Sequence, residues 1–285
     1  MKFLSLILAL GIIAGPSARQ AAAAPEDGGD RVKLPVFMYH RLLRHPSTSD
    51  QYTISPEAFE CDLKYLSENG YTAVGTRELL DYAELGVSLP SKPVMITFDD
   101  GHFNNLHYAE PLLEKYGMKA VIFVVGRYSD LSSRDGIENP NYSYIRWERM
   151  ENLSSVIEIQ NHTWDMHRLN GGRRGIKRRP GESREDYERA LRADLGKLNA
   201  EIERRTGRAP AAFALPFGAE EEWAYPVLEE SGLKICFCSR EGIAVIRRGR
   251  PESLRNVRRI LRRPGRTAEG LLKKFGSDDF SGAPL

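Results

Sequence analysis

Two adjacent carboxylates, Asp99 and Asp100, are the residues of this sequence whose type and position most directly suggest chemistry. They end the apolar run 93–98 (Pro-Val-Met-Ile-Thr-Phe), which is typical of a buried strand, and Gly101 follows them at once. Successive side chains of a strand point to opposite faces, so both aspartates can serve one site only if the chain turns there. The carboxyl ends of strands are where α/β proteins place their chemistry. Asp-Asp-Gly is also a common turn sequence without chemistry, so further motifs must decide.

A second polar cluster follows another strand-like run, at 155–160. Its sequence, His-Thr-Trp-Asp-Met-His, occupies 162–167, so its two histidines stand five positions apart. This spacing is not that of a helical zinc motif, but a loop that leaves a strand can bring both imidazoles to one ion. Two imidazoles and one carboxylate are a common ligand set for a catalytic divalent metal. The alternative interpretation is two unrelated surface histidines.

Three motifs, taken in order, resemble those of a known family. They are Thr-Phe-Asp-Asp-Gly at 97–101, His-Thr-x-x-x-His at 162–167 and Leu-Pro-Phe-Gly at 215–218. Together they resemble the first three motifs of the polysaccharide deacetylases. This family is also called carbohydrate esterase family 4, and its domain is the NodB-homology domain. The histidine spacing is similar to that of a sub-branch that includes deacetylases of exported poly-N-acetylglucosamine. The resemblance covers residues 34–262 and implies an α/β fold, a distorted (β/α) barrel of the NodB-homology type, in a single domain.

The resemblance also implies a role for each motif residue. Asp99 would be the catalytic base that deprotonates the attacking water, and the backbone N–H of Phe217 would help to hold the oxyanion. Asp100, His162 and His167 would bind a divalent metal, with Zn²⁺ as our prediction and Co²⁺ or Ni²⁺ as alternatives. For Phe217 the other interpretation is a turn at a strand end.

The chain departs from the family pattern at two catalytic positions. The arginine that braces the base usually lies two residues before Pro216, but this chain has Ala214 there, so the bracing must come from elsewhere or be weaker. The usual late histidine, a general acid, is also missing, since no histidine follows His167. We predict that His40 replaces it, because the first and last strands of a closed parallel barrel are neighbours. A strand-end histidine with a structural role is the alternative.

Three residues are candidates for substrate contact. His102 directly follows the aspartate pair and is also the reserve candidate for the general acid. Trp164 could stack on a sugar face, and Pro216 belongs to the third motif. The family's fourth motif, which contains an Asp-Trp pair, is not found.

Strand-like and helix-like segments alternate over more than 200 residues, which predicts a parallel α/β fold, barrel-like or open. We divide the chain into a signal peptide, a linker, one deacetylase domain and a basic C-terminal helix or tail. Their predicted bounds are 1–24, 25–33, 34–262 and 263–285.

The first 24 residues carry the features of a secretory signal. Lys2 gives a positive start, residues 3–15 form an apolar run, and residues 21–24 are four alanines. The apolar run has 13 residues, fewer than the about 20 of an ordinary membrane span. We therefore predict a secreted or cell-envelope protein, with an uncleaved anchor as the alternative.

Charge says little about partners overall, with 41 basic and 39 acidic residues, but two stretches are strongly basic. Residues 168–179 hold six Lys or Arg, and residues 240–274 hold 12 against three Glu. Without a nucleic-acid motif, a solvated basic face is the default interpretation, and we predict no nucleic-acid partner. The alternative is attraction to an anionic cell wall or membrane surface. We expect a monomer.

The leading hypothesis is an exported, metal-dependent deacetylase of N-acetylglucosamine-type polysaccharides. One alternative is a metal-dependent hydrolase of another non-peptide C–N bond. Another is a catalytically weak glycan-binding protein, which the two departures would fit. The combination of Asp99 with a complete metal triad argues against a binding protein, because binding alone needs no base.

Overall fold

The computed structural model describes residues 31–45, 50–169 and 172–276. The predicted signal peptide, 1–24, therefore lies outside the described residues, and so does the end of the predicted tail. Within the described ranges, no helix combines the length and the apolar character needed to cross a bilayer.

The described residues form strands that are mostly short. Their bounds are β1 Arg31–Leu34, β2 Val36–Tyr39, β3 Arg41–Leu42, β4 Thr53–Ile54, β5 Thr72–Ala73, β6 Pro93–Phe98, β7 Ala120–Val124, β8 Ile157–Asn161, β9 Ala212–Ala214, β10 Ile235–Glu241, β11 Ala244–Arg247 and β12 Val257–Leu261.

The helices alternate with these strands. Their bounds are α1 Pro56–Glu68, α2 Thr76–Leu85, α3 Glu110–Tyr116, α4 Gly126–Asp135, α5 Trp147–Met150, α6 Arg184–Thr206, α7 Ala224–Glu230 and α8 Ala268–Gly276. A π-helical turn at Asn105–Ala109 leads into α3, and a 3₁₀ turn at Pro216–Gly218 follows β9.

Seven parallel strands of the described chain close into a barrel. Their order is β2, β12, β10, β9, β8, β7 and β6, and the pairing of β2 with β6 closes the ring. This confirms the predicted (β/α) barrel. It also confirms that the first and last strands of the barrel are neighbours, since Phe37 pairs with Ile260 and Met38 with Leu261.

Helix boundaries follow the capping signals in the sequence. The Ser55 hydroxyl accepts a hydrogen bond from the N–H of Ala58 at 3.2 Å and so starts α1. Ser183 caps α6 in the same way, and Gly207, at φ 70°, ends it in the left-handed region that glycine tolerates. These caps fix where α1 begins and where α6 begins and ends.

The barrel strands divide their side chains between two apolar layers. Along β6, Val94, Ile96 and Phe98 face the helices, whereas Met95 belongs to the cluster inside the barrel. The same alternation along β12 places Val257 inside and Ile260 outside. Because side chains alternate with period two, the next inward positions at the carboxyl ends carry the site.

Segments on both sides of the predicted domain, 34–262, pack against the barrel. Residues 31–33, assigned above to a linker, lie in β1, which pairs antiparallel with β11. Within the predicted C-terminal helix or tail, α8 forms at Ala268–Gly276, and its Leu271 and Leu272 are buried in the main core cluster. Both segments cover apolar surface that the barrel would otherwise expose.

Candidate active site

Three neighbouring strands bring polar side chains to the inside of the barrel at its carboxyl end. Asp99 follows β6 in the inward series after Met95 and Thr97, and Arg259 follows Val257 on β12. His40 follows β2 and lines the same cavity. Strand alternation therefore directs an acid, a cation and an imidazole to one point.

Arg259 and Asp99 form a bidentate ion pair in the barrel interior. Nη1 of Arg259 lies 2.6 Å from Oδ1 of Asp99, and Nη2 lies 2.8 Å from Oδ2. Both residues are buried, with 1% and 4% exposure. Burial alone would raise the pKa of Asp99, but the charges of Arg259, His162 and His40 together with the hydrogen bonds from Arg259 outweigh it and lower that pKa below its usual value. Asp99 is thus held ionised, as a base requires.

Asp100 is turned to another side of the cavity by a left-handed backbone. Asp100 has φ 70° and Gly101 has φ 71°. A Cβ on Gly101 would lie 2.8 Å from Cγ1 of Val124, so glycine is required both for its conformation and for its size. This is the turn that the sequence predicts, and it separates the two carboxylates.

Asp100 meets both histidines of the second motif. Its Oδ1 lies 3.6 Å from Nε2 of His162 and 3.1 Å from Nε2 of His167. One ligand atom from each of these three residues falls within 4.8 Å of the others. Burial opposes ionisation of Asp100, but its contacts with His102, His162 and His167 keep its pKa well below the usual value.

The other ring nitrogen of each histidine is engaged. Nδ1 of His162 lies 2.8 Å from the carbonyl oxygen of Ala214, which can only accept, so Nδ1 carries the proton and Nε2 is free to bind a cation. Nδ1 of His167 lies 3.3 Å from the hydroxyl of Tyr128. Such contacts orient metal-binding histidines, so this donor set fits a divalent cation.

His40 lies beside the base. Its Nε2 is 4.0 Å from Oδ2 of Asp99, and its Nδ1 is buried without a hydrogen-bond partner in the described part of the chain. Burial lowers the pKa of His40, and the nearby Asp99 opposes this only in part. A histidine with a lowered pKa is a stronger acid once it is protonated.

The third motif forms the opposite wall. Phe217 has φ 57°, and its ring lies 4.3 Å from that of His167, centroid to centroid. Gly218 lies against Ser239, whose Oγ would be 1.8 Å from an added Cβ. Phe217 and Gly218 line the cavity, whereas Pro216 is buried beneath this wall and is not among the lining residues.

All of these groups open into one cavity of about 540 Å³, which includes Asp99, Asp100, His40, both metal-candidate histidines and Phe217. A larger space, of about 780 Å³, is lined by residues of α2, β8 and neighbouring loops. It contains none of the residues predicted for the site, so we assign the chemistry to the 540 Å³ cavity.

The sequence profile of the polysaccharide deacetylases matches residues 86–236, more than half of the chain. This chain belongs to the polysaccharide deacetylase family. The matched residues include all three motifs. The match therefore confirms the resemblance that was found in the sequence.

Two curated relatives and two solved structures extend this finding. YxkH of Bacillus subtilis is 34% identical over 144 residues, which span 49% of this chain and 45% of that protein. A poly-β-1,6-N-acetyl-D-glucosamine N-deacetylase of Staphylococcus aureus is 25% identical over 263 residues, which span 84% of this chain and 86% of that protein.

Among solved structures, IcaB from Ammonifex degensii is 27% identical, with a TM-score of 0.68 over 84% of this chain and 97% of that one. The Streptococcus pyogenes deacetylase PplD has a TM-score of 0.70 at 20% identity, over 86% of this chain and 98% of that one. The latter similarity shows the fold alone.

Of the residues predicted to contact substrate, His102 lines the cavity and Trp164 does not. His102 lines the cavity, where its ring stacks on Tyr144 at 4.7 Å. Trp164 does not line it, because its ring stacks on Trp147 at 5.9 Å and lies 3.7 Å below the ammonium of Lys197. The prediction that Trp164 contacts sugar therefore finds no support, and its ring serves packing.

Arg259, which binds Asp99, is a residue of the candidate site that the sequence did not predict. It lies in the basic stretch 240–274, which the default interpretation treats as a solvated face. The available signal was the pattern Val-Arg-Arg-Ile-Leu at 257–261, in which apolar residues flank two arginines as they would in a strand. Alternation then makes one arginine inward and the other, Arg258, exposed.

Proposed function

We propose that this polysaccharide deacetylase is exported and metal-dependent, and that it hydrolyses the N-acetyl groups of an N-acetylglucosamine-type glycan to free amine and acetate. The observation that carries the proposal is the convergence of the Asp99–Arg259 pair, the Asp100–His162–His167 cluster and His40 in one cavity. The name of the staphylococcal relative, a poly-β-1,6-N-acetyl-D-glucosamine N-deacetylase, supports this substrate class.

A divalent cation held by Asp100, His162 and His167 would polarise the acetamide carbonyl and lower the pKa of water toward about 7. We propose Zn²⁺, with Co²⁺ and Ni²⁺ as alternatives, because two imidazoles and a carboxylate suit these ions. Ala214 and Tyr128 orient the imidazoles, so the ligand set is organised before the ion arrives.

The residues of the chain then divide the proton transfers. Asp99 accepts the proton of the attacking water, and Arg259 keeps this buried carboxylate ionised beforehand. His40, 4.0 Å from Asp99, takes up that proton from Asp99 and passes it to the departing amine, which must be protonated to leave. The backbone N–H of Phe217 is our candidate for holding the oxyanion.

The two departures from the family pattern no longer favour the alternative of a catalytically weak glycan-binding protein. It relied on two missing residues, the arginine at position 214 and a late histidine. Arg259 supplies the bracing from β12, and His40 offers an imidazole from β2. A binding protein would have no need for a buried, bidentate brace on a potential base.

The test is acetate release from N-acetylglucosamine oligomers by protein that begins at residue 25, stripped of metal and then supplied with Zn²⁺, Co²⁺ or Ni²⁺. We expect release that depends on the metal and is lost in Asp99→Asn. Metal binding without release from any oligomer would instead favour another C–N substrate. Export is tested separately, by locating the full chain in cell fractions and sequencing the N-terminus of the mature protein.

A further inference from the structure

The histidine loop, residues 162–167, carries both imidazoles of the ligand cluster, and a carboxylate from another element holds its centre. Asp194, on α6, accepts the backbone N–H of Trp164 at 2.7 Å and that of Asp165 at 2.9 Å. These two residues lie between the two histidines. One carboxylate therefore binds the middle of the segment that joins the imidazoles.

The charge of Asp194 strengthens these two contacts. Burial raises its pKa to about 6, and the N–H groups of Asp165 and Trp164 oppose that rise. The ammonium of Lys197, further along α6, also favours the charged form. At a pH of about 8 the carboxylate is therefore ionised, and hydrogen bonds to an ionised acceptor are roughly twice as strong as neutral ones. The two N–H groups thus have a strong acceptor that an apolar residue could not supply.

A second contact from α6 holds the start of the histidine loop. Asn161, which is fully buried, accepts the N–H of Thr163 at 2.7 Å through its Oδ1. Its Nδ2 donates to Oδ1 of Asn199, on α6, at 2.7 Å. The amide of Asn161 therefore links the loop backbone to the same helix that carries Asp194.

The histidine loop needs such anchors because its backbone is strained. Thr163 has φ 73°, in the left-handed region that a β-branched residue rarely adopts. Such a conformation persists only where the surrounding structure imposes it. The first turn of α4 adds two contacts, since the N–H of Gly126 donates to the carbonyl of Thr163 at 3.1 Å and that of Arg127 to the carbonyl of Trp164 at 2.8 Å. The loop backbone is thus held between α4 and α6.

The shape of this loop decides whether the two imidazoles can share one ion. His162 directly follows β8, and its Nδ1 is fixed by the carbonyl oxygen of Ala214 at 2.8 Å. His167 lies at the far end of the loop, where its Nδ1 makes a longer contact, 3.3 Å, with the hydroxyl of Tyr128. The two rings lie 4.9 Å apart, centroid to centroid. Loosening the middle of the loop should therefore move His167 relative to His162.

We propose that Asp194 is a positioning residue, which holds the histidine loop in the shape in which both imidazoles converge on one cation. The Asn161–Asn199 pair is the second anchor of the same loop. Asp194 acts through the loop backbone and touches no reacting atom. The inference rests on the metal binding in the proposed function, but not on the substrate or on turnover.

The first test measures the Zn²⁺ affinity of the metal-free protein by competition with a chromophoric chelator, at a pH of about 8, where the ligands are deprotonated. In Asp194→Ala both N–H groups lose their acceptor, and we expect the Kd for Zn²⁺ to rise by about tenfold or more, as is usual when support of metal ligands is lost. Asp194→Asn keeps the shape and one acceptor oxygen, so its Kd should lie between those of wild type and Asp194→Ala. An unchanged Kd in both variants would overturn the inference.

The Co²⁺-loaded proteins give a readout that a loss of stability alone would not move. The visible absorption of bound Co²⁺ depends on its coordination geometry, so the bands should shift or weaken in Asp194→Ala. Urea unfolding of the metal-free proteins measures the structural contribution separately. A lower free energy of unfolding with the wild-type Zn²⁺ Kd and Co²⁺ spectrum would mean that Asp194 serves the fold alone. If Asp194→Ala does not fold, Asp194→Asn decides by the same measurements.

Glu110→Ala is the matched control. Glu110 is also half-buried, and its Oε1 accepts a backbone N–H, that of Ser154, at 2.9 Å, outside the histidine loop. Its loss should leave the Zn²⁺ Kd within about twofold, because the two sites share no partner. A rise equal to that in Asp194→Ala would mean a general effect of a lost carboxylate and would overturn the inference.

Acetate release separates this inference from the proposed function. If wild-type protein binds Zn²⁺ but releases no acetate, and Asp194→Ala weakens that binding, the positioning role stands and the proposed activity on N-acetylglucosamine oligomers does not. If wild-type protein releases acetate and Asp194→Ala leaves Zn²⁺ binding unaffected, the function stands and the positioning role does not. Wild-type protein that binds no Zn²⁺ would overturn both the proposed Zn²⁺ site and this inference.

Discussion

The guanidinium of Arg259 binds both carboxylate oxygens of Asp99, at 2.6 and 2.8 Å, across 160 positions of sequence. The third-motif arginine that would brace this base is replaced by Ala214, whose backbone carbonyl instead orients His162. The bracing charge therefore comes from β12 rather than from β9. The brace also packs between two aromatic rings, with its guanidinium 5.8 Å from Phe123 and 5.9 Å from Phe237.

Replacing this brace should remove activity. In Arg259→Met, burial still raises the pKa of Asp99 while the largest opposing charge is gone, so more of the base is protonated and we expect kcat to fall by about 100-fold or more. The free energy of unfolding should fall by about 3–5 kcal/mol, because one member of a buried pair is left alone.

Acetate release and urea unfolding would measure these two effects. Arg258→Met, at the exposed neighbouring position, is the control and should change neither. Arg259→Lys keeps the charge but not the two-pronged geometry, so it should be intermediate. Wild-type kcat in metal-loaded Arg259→Met would show that Asp99 needs no brace.

His40→Ala tests the general acid. We expect kcat to fall by about 10²–10⁴-fold, because the amine must leave without a positioned proton donor. Metal content, measured by mass spectrometry, should be unchanged, since His40 is not in the ligand cluster. His107→Ala, an exposed histidine on the π-helical turn, serves as control. Full activity in His40→Ala would move the role to His102.

The ligand cluster predicts a stability effect that does not depend on turnover. Zn²⁺ at 100 times its Kd should raise the free energy of unfolding by about 2.7 kcal/mol, because it binds only the folded chain. Thermal unfolding with and without Zn²⁺ would measure this increase. It should vanish in His162→Ala and persist in His107→Ala. An equal increase in His162→Ala would place the metal elsewhere.

The buried carboxylate of Asp62 leads to a prediction about the stability of the fold rather than about activity. This carboxylate, 1% exposed, lies 2.6 Å from Nε of Arg262 and accepts hydrogen bonds from the N–H of Ala268 at 2.8 Å and the hydroxyl of Tyr39 at 3.1 Å. It joins α1, the end of β12 and the start of α8. Asp62→Leu should therefore lower the free energy of unfolding by about 3–5 kcal/mol in urea titrations.

The double variant Asp62→Leu, Arg262→Met should recover much of that loss, because no uncompensated charge remains. Lys64→Ala is the control on the same helix. Its pair with Glu68 is exposed, at 3.8 Å, so the change should stay within about 1 kcal/mol. If Asp62→Leu is as stable as this control, the buried network does not hold α8 in place.

The three motifs could be found in the sequence because each lies within a few consecutive residues. Asp99 and Asp100 end an apolar strand, and the glycine after them announces a turn. The neighbourhood of His40 followed from barrel closure, which places the first and last strands side by side. Trp164 was not predictable, since whether its ring faces sugar or Trp147 depends on how α4, α5 and α6 pack around it.

The sequence by itself therefore predicted a parallel α/β fold and the pair of aspartates at a strand end, because local patterns of apolar and polar residues encode strands and turns. The choice of a barrel over an open sheet, and the metal ligands, came from the resemblance of the three motifs to the family. Only the tertiary structure decided what braces Asp99. Arg259 stands among a dozen similar charges in 240–274, and nothing local distinguishes it from Arg258. Its inward direction depends on the register of β12 in the closed sheet, and its partner lies 160 residues away.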